Sequence, residues 1–491
     1  MVKLSRTTRK IFCDRKMFIN GDYQEKGTRR IPVINPATEE QINTVPDACL
    51  EDVNSAVECA YEAFCNKIWR SYTPTKREEC ILQLATLMEE NKEELAMLIV
   101  CENGKLVKDA LREVANSIRF TRYMAGWATK VYGDTLDVSL TAPQQEFFAY
   151  TKREPVGVVA AIIPWNMPLA MAIWKIVPAL VCGCTVVVKP SEETPLSALR
   201  LAELIVEAGI PGGVVNVVTG YGDTCGKFLV EHSLINKIAF TGSTTTGKII
   251  GQRAMENMTR VSLELGGKSP VIILDDADLS MVDAFIAKGI FYNQGQICAA
   301  GSRLYVARSI FEETVQRVVK IAEKMKLGSG LEQNVDLGPL VSKKQQQKVF
   351  QYIEEAIACG ATVLSGGKIP QGKGFFVEPT ILTNVNHGMS VVQEEVFGPV
   401  LVAMPFDDIE EVIAKANDST YGLSASIYSQ NISTIHRMIP QIKAGTIFVN
   451  SPVRTDPNLP FGGFKQSGLG REHGSSMFDL YTELKSVVIT Y

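Results

Sequence analysis

The sequence predicts an α/β fold with parallel sheets covered by helices on both faces. Two observations carry that expectation. Apolar, β-branched runs at 156–163, 185–188, 214–218, 237–240 and 270–274 alternate with segments of helical spacing. The alternation resumes over 280–475, where VAMPF at 402–406 and TIFVN at 446–450 read as strands of a second α/β unit.

The elements follow in order. Segments 55–66 and 78–128 read as mostly helical. After the second strand of the first unit, Thr194 reads as an N-cap and Pro195 as the first helical residue. Leu196, Leu199, Leu204, Ile205 and Ala208 then share one face, and Gly209 and Pro211 end the helix. The tail KSVVIT at 485–490 reads as a strand. A lone terminal strand must pair, so docking on a partner sheet or subunit is expected.

With 491 residues the chain is long enough for a large core and two or three domains. A net charge of −4 calls for neither nucleic acid nor an anionic membrane as partner. No apolar run reaches the roughly 18 residues of a membrane span. The 11 cysteines show no CxxC pair, so neither a disulfide framework nor a zinc site is read, and a reducing, cytoplasmic location is expected. Four histidines (His232, His387, His436 and His473) argue against a histidine-rich metal centre. Residues 1–16 form a basic arm through Lys3, Arg6, Arg9, Lys10, Arg15 and Lys16, without the apolar core of a secretory signal. A surface-lying arm and an organelle transit peptide both fit it.

Four segments could carry chemistry. In Asn293–Arg303, Cys298 sits among small and amide residues between two glycines, where a substrate could reach it; alone, it also fits a small core hydrophobe. Glu264, between leucines and before two glycines, suits a general base of raised pKa, or a partner for Lys268. Asn166, in PWNMP after a strand, could donate to an oxyanion; a proline-bounded turn is the alternative. The turn Phe240–Lys248 precedes a helix whose N-terminus would suit a pyrophosphate. It spells GxxxxGK but continues with Ile249, so the hydroxyl that a P-loop places on Mg²⁺ is missing, and GxGxxG is absent too.

In this order the segments resemble the aldehyde dehydrogenase superfamily, from about residue 17 to the end. The likeness includes PWNMP (164–168), KPSEETP (189–195), FTGSTTTGK (240–248), LELGGK (263–268), GQICAAGSR (295–303), EEVFGPV (394–400) and PFGGFKQSGLGRE (460–472). The resemblance implies Cys298 as nucleophile, Asn166 and the Cys298 backbone N–H as oxyanion hole, and Glu264 as the base that deacylates with water. It implies a cofactor, NAD with NADP possible, held by Trp165, Lys189, Glu192, Gly242, Ser243, Gly247, Glu395 and Phe397. Glu472 resembles an acid in the proton path. CoA-acylating relatives generally lack the glutamate at 264, so hydrolysis to a free acid is expected.

By the same analogy Met167, Met171, Trp174, Ile297, Ala299 and Phe461 line an apolar substrate tunnel. Together with TKREPVGVVAAIIPWN (151–166), NLPFGGFKQSG (458–468) and TELKSVVITY (482–491), the chain looks most like phenylacetaldehyde dehydrogenases. A broad aliphatic aldehyde dehydrogenase is the alternative substrate reading. A cysteine hydrolase using His473 or His436 without NAD, and a non-catalytic binding protein, are alternatives of other classes. The implied architecture is a Rossmann-like NAD-binding domain (17–136 and 155–265), an α/β catalytic domain (266–477) and a small β oligomerisation element (137–154 and 478–491). A homodimer or homotetramer acting on a small-molecule aldehyde is expected, with no metal.

Overall fold

A computed structural model of the chain describes residues 15–491, except the side chains of 284–288. The basic arm read over 1–16 therefore lies outside the described residues but for Arg15 and Lys16. The first sheet has eight strands, ordered Gly468–Leu469, Arg260–Glu264, Lys237–Thr241, Val158–Ile162, Thr185–Lys189, Val215–Val217, Met17–Ile19 and Asp22–Gln24. The five from Arg260–Glu264 to Val215–Val217 run parallel. Val158–Ile162, Thr185–Lys189 and Lys237–Thr241 are buried at every residue, which is why they read as unbroken apolar runs rather than alternating ones.

Helices cover both faces. On one, Pro168–Cys182 is buried along its whole length and packs on Val107–Ala125. A helix enclosed all round has little use for a polar face, and Lys175 is the only charged residue in it. The helical stretches read at 55–66 and 78–128 resolve into Leu50–Cys65, Pro74–Glu90, Lys92–Asn103 and Val107–Ala125.

A second sheet of seven strands holds Thr362–Ser365, Thr380–Thr383, Val400–Phe406, Arg303–Ala307, Pro270–Ile273, Ser424–Tyr428 and Thr446–Val449, all parallel except the first. A third sheet joins Thr135–Leu136, Phe147–Pro155 and Thr482–Thr490.

Three local readings change. Thr194 is not the cap of the next helix. The helix spans Leu196–Glu207 without a side-chain cap from the preceding residue, and the buried Thr194 hydroxyl has no hydrogen-bond partner among the described residues. The carboxylate of Glu102, from another helix, accepts from the Leu196 and Ser197 N–H groups at 2.7 and 3.1 Å. A carboxylate at a helix N-terminus meets both the free donors and the dipole, so it outcompetes a local hydroxyl. Second, the expected partner sheet or subunit narrows to a sheet of the same chain: the terminal strand pairs over nine residues, from Thr482 opposite Pro155 to Thr490 opposite Phe147. Third, Gly468–Leu469 returns from the segment assigned to the second unit and pairs with Leu263 and Glu264 at the edge of the first sheet.

The ten described cysteines are free thiols. Among the described residues no helix is long and apolar enough to cross a membrane.

Candidate active site

Parallel neighbours share an edge, so the carboxyl ends of Val158–Ile162, Thr185–Lys189, Lys237–Thr241 and Arg260–Glu264 open together. Ligands of open α/β sheets bind at such an edge. Asn166, Lys189, Gly242 and Glu264, drawn from four separate motifs, all stand there.

Cys298 reaches this edge on a loop from the second unit. Ahead of it Asn293, Gln294 and Gly295 are all left-handed, at φ of 48°, 58° and 70°. At 295 only glycine fits, because a Cβ would drive into the Gly398 carbonyl oxygen. The Gln296 carbonyl accepts from the Asn166 side-chain amide at 2.9 Å. Asn293 donates to the Asn166 carbonyl at 3.0 Å, and Lys105 donates to it at 2.9 Å. Buried Lys105 is paired with buried Glu113 at 2.5 Å. The other Glu113 oxygen accepts from Leu169 and Ala170 N–H at 3.1 Å each, at the start of the Pro168–Cys182 helix. Asn166 is thus fixed from both sides, with Asn293 and Gln296 facing it across the gap.

The loop after Glu264 passes directly beneath the cysteine. A Cβ at Gly267 would collide with the Cys298 carbonyl oxygen, so close approach demands glycine. Gly267 N–H also donates to Glu395 at 3.0 Å. Cys298 itself is partly exposed. Burial first, then the carboxylates of Glu264 and Glu395, push its thiol well above the ordinary value.

Glu264 is buried, and neither carboxyl oxygen has a hydrogen-bond partner among the described residues. Pairing with Lys268 does not occur. Burial and then the Glu472 charge push the Glu264 carboxyl well above its usual value, against the pull of Lys175 and Arg471. Glu472 accepts from Lys175 at 2.5 Å, and Lys175 donates to the Thr241 hydroxyl at 2.7 Å.

The residues implied for a dinucleotide line the same edge. Ser243 is exposed and caps the helix Thr244–Glu256, accepting from Thr246 N–H at 3.2 Å. Gly247 is buried, and a Cβ there would enter Leu265. Lys189 lies 3.7 Å from Glu192, whose side chain is about a third exposed at 34%. The rings of Trp165 and Phe397 meet edge to face at 5.2 Å. Burial pushes the Glu395 carboxyl up to about 7, against the Gly267 N–H.

Of the tunnel residues, Met171, Trp174, Ala299 and Phe461 are buried in one apolar cluster, with Met167, Ile297 and Cys298 packed against it. Trp174 meets Phe461 at 6.2 Å and His473 at 4.1 Å. His473 engages the Asp456 carbonyl at 3.0 Å, and His436 is exposed on the helix Ile432–Met438. Among the described residues neither histidine hydrogen-bonds Cys298, the contact that a cysteine–histidine hydrolase would use. Sequence reasoning missed Lys105, Glu113, Lys175, Asn293 and Gln296 as supports. Lys175 had a signal, a lone charge in an apolar helix; the Lys105–Glu113 pair had none, since Lys105 lies in the loop before the helix Val107–Ala125 that carries Glu113 and reads as an ordinary solvated charge until both are buried.

A family-wide sequence profile described as "Aldehyde dehydrogenase family" matches residues 23–487. The chain is 51% identical to a phenylacetaldehyde dehydrogenase of Pseudomonas fluorescens, covering 97% of this chain and 96% of that one. It is 45% identical to human aldehyde dehydrogenase 1A1, covering 96% and 94%. The NAD+ complex of an aldehyde dehydrogenase from Bacillus cereus superposes with a TM-score of 0.97 at 47% identity, covering 99% of each chain. By fold, motifs and similarity along nearly its whole length, the chain belongs to the aldehyde dehydrogenase family.

Proposed function

We propose that the chain oxidises an aldehyde to a free carboxylic acid with NAD, through a thiohemiacetal and then a thioester on Cys298. The observation that supports this best is one juxtaposition. The loop that carries the partly exposed Cys298 is tied to the Asn166 side chain through the Gln296 carbonyl, and the Glu264 carboxyl, partnerless among the described residues, is close enough to raise the thiol's pKa.

The edge fits the cofactor. The capped helix start at Ser243 offers backbone N–H groups to a pyrophosphate, and Gly247 lets that helix lie close against Leu265. Lys189 and Glu192 would meet the adenosine ribose, Glu395 the nicotinamide ribose, and Trp165 and Phe397 the ring. NAD bound there supplies the hydride acceptor. The Glu192 carboxylate would accept from a ribose diol and repel a 2′-phosphate, so NAD is preferred over NADP.

The protein's own work has three parts. The Cys298 S–H bond breaks, its proton passing to water in the substrate cleft, and the sulfur bonds to the carbonyl carbon. Asn166 and the Cys298 N–H donate to the oxygen on which charge collects. Glu264 then takes a proton from water as that water attacks the thioester, and the acid leaves.

The apolar, aromatic cluster of Met171, Trp174 and Phe461 favours an arylalkyl aldehyde such as phenylacetaldehyde. The domain limits stated above are proposed with it, amended by the return of 468–469 to the first sheet. A homodimer or homotetramer in the cytoplasm completes the reading. Exposed Phe148, Leu484, Val488 and Ile489 on the third sheet support an assembly surface.

The test is NADH formation from phenylacetaldehyde, short aliphatic aldehydes and betaine aldehyde, by wild type and Cys298→Ala. Fastest turnover of phenylacetaldehyde and an inactive variant are expected. Full activity in Cys298→Ala removes the mechanism, and preference for another aldehyde removes the substrate.

A further inference from the structure

Asn293 precedes Cys298 on the loop that leads into the strand Arg303–Ala307 of the second sheet, and Asn166 follows the strand Val158–Ile162 of the first. Three hydrogen bonds close a ring between them. The Asn293 side-chain nitrogen donates to the Asn166 carbonyl at 3.0 Å and to the Gln296 carbonyl at 3.3 Å. The Asn166 side-chain nitrogen donates to that same Gln296 carbonyl at 2.9 Å. Both Asn293 amide hydrogens are therefore spent, one on each side of the gap between the two loops.

The ring is held from outside as well. Lys105 donates to the Asn166 carbonyl at 2.9 Å, so both lone pairs of that oxygen are used. Asn103 donates to the Trp165 carbonyl at 2.9 Å and fixes the residue ahead. The Gln296 side chain accepts from the Val341 N–H at 3.0 Å and donates to the Asn293 carbonyl at 3.3 Å. Asn166, Asn293 and Gln296 are all buried, so bulk water does not stand in for these donors.

Two features mark Asn293 as a residue kept for its donors. Its side-chain oxygen is buried and has no hydrogen-bond partner among the described residues. A buried unpaired acceptor costs stability, and here the amide spends its nitrogen while its oxygen goes unpaired. Its backbone is left-handed at φ 48°, and Gln294 and Gly295 continue the turn at 58° and 70°. L-residues resist a run of such conformations, although asparagine tolerates one better than most. Strain of this kind persists where the surrounding structure over-determines it, and this run carries the chain from Asn293 to Gln296, the two residues that face Asn166.

We propose that Asn293 is a positioning residue for the substrate oxygen. This rests on the reading of Asn166 as an oxyanion donor. The Asn293 amide ties the Asn166 main chain to the loop that carries Cys298, and so sets the spacing between the remaining Asn166 N–H and the attacking sulfur. Asn293 itself does not touch substrate; it acts through Asn166. A donor displaced by about an ångström loses much of its hold on developing charge, while the uncharged aldehyde binds about as well as before. Loss of Asn293 therefore falls on the rate of the first chemical step rather than on aldehyde affinity.

The experiment is stopped-flow NADH formation by Asn293→Gly, Asn166→Ala and the double variant. Glycine adopts the left-handed backbone freely, so Asn293→Gly removes the amide and leaves the turn. The expected result is a first-turnover burst about ten- to a hundredfold slower, with the aldehyde KM within about twofold of wild type. In the Asn166→Ala background, Asn293→Gly is expected to slow the burst by less than about twofold more, because a group that acts through Asn166 has nothing left to position. Asn293→Asp, in case the glycine variant folds poorly, keeps the side-chain shape but sets oxygens where both carbonyls need donors, and is expected to behave alike. An unchanged burst in either variant overturns the proposal. So does a loss confined to KM, or one that multiplies in full with that of Asn166→Ala, which assigns Asn293 to packing. A wild-type burst in Asn166→Ala defeats the underlying reading of Asn166 instead.

Discussion

The Asn166 side-chain amide donates to the Gln296 carbonyl at 2.9 Å, joining the loop after Val158–Ile162 to the loop that carries Cys298. One amide hydrogen is spent on this bridge, and under the proposed mechanism the other serves the substrate oxygen. Asn166→Ala removes both the donor and the bridge. We expect kcat to fall about 10²–10³-fold, the loss of about 2.7–4 kcal/mol of transition-state stabilisation. Steady-state kinetics on the saturated enzyme checks it, and a change confined to KM contradicts it.

The resting thiol is predicted to alkylate slowly. Burial and two carboxylates push the Cys298 value up, so its thiolate is scarce at neutral pH. Iodoacetamide labelling of Cys298, followed by mass spectrometry, should accelerate as pH rises. In Glu264→Gln the charge that this carboxyl carries once ionised is gone, so labelling should outpace wild type at the alkaline pH values where Glu264 ionises.

Glu264 makes a prediction about stability. Its folded-state value lies above that of the unfolded chain, so the folded protein binds this proton more tightly. That contribution is present below the unfolded carboxyl value and is lost as pH rises through the folded one. Glu264→Gln escapes the loss. Thermal unfolding should show variant and wild type converging at acid pH and the variant gaining as pH rises. A pH-independent difference would show that the carboxyl does not titrate there.

The Lys105–Glu113 pair supports the site from behind. Removing one member leaves a buried charge uncompensated, which typically costs about 3–5 kcal/mol. Lys105→Met is expected to lower stability by about that amount in denaturant unfolding and to reduce kcat, because the Asn166 carbonyl also loses its donor. Glu113 keeps two backbone donors, so the loss should fall toward the lower end.

Much of the site was legible because its residues lie in runs whose chemistry is local. Glu264 between leucines and ahead of two glycines, or Ser243 before a helix, announces itself within a few residues. Asn293 did not, since an asparagine ahead of Gln294 and Gly295 reads as part of a turn until the Asn166 carbonyl comes to meet its amide. Thr194 misled for the related reason that a good local cap lost to Glu102, which lies 94 positions from Leu196.

By itself the sequence determined the alternation of strands and helices and the resemblance to the family, and only through that resemblance did it name a candidate nucleophile, base and oxyanion donor, because periodicity and motif are properties of neighbouring residues. Only the tertiary structure decided which charges meet. Lys175 closes on Glu472 across 297 positions while the Glu264 carboxyl is left without a hydrogen-bond partner among the described residues. In a low-dielectric interior, partners are assigned by packing geometry, and that geometry exists only once the elements have come together.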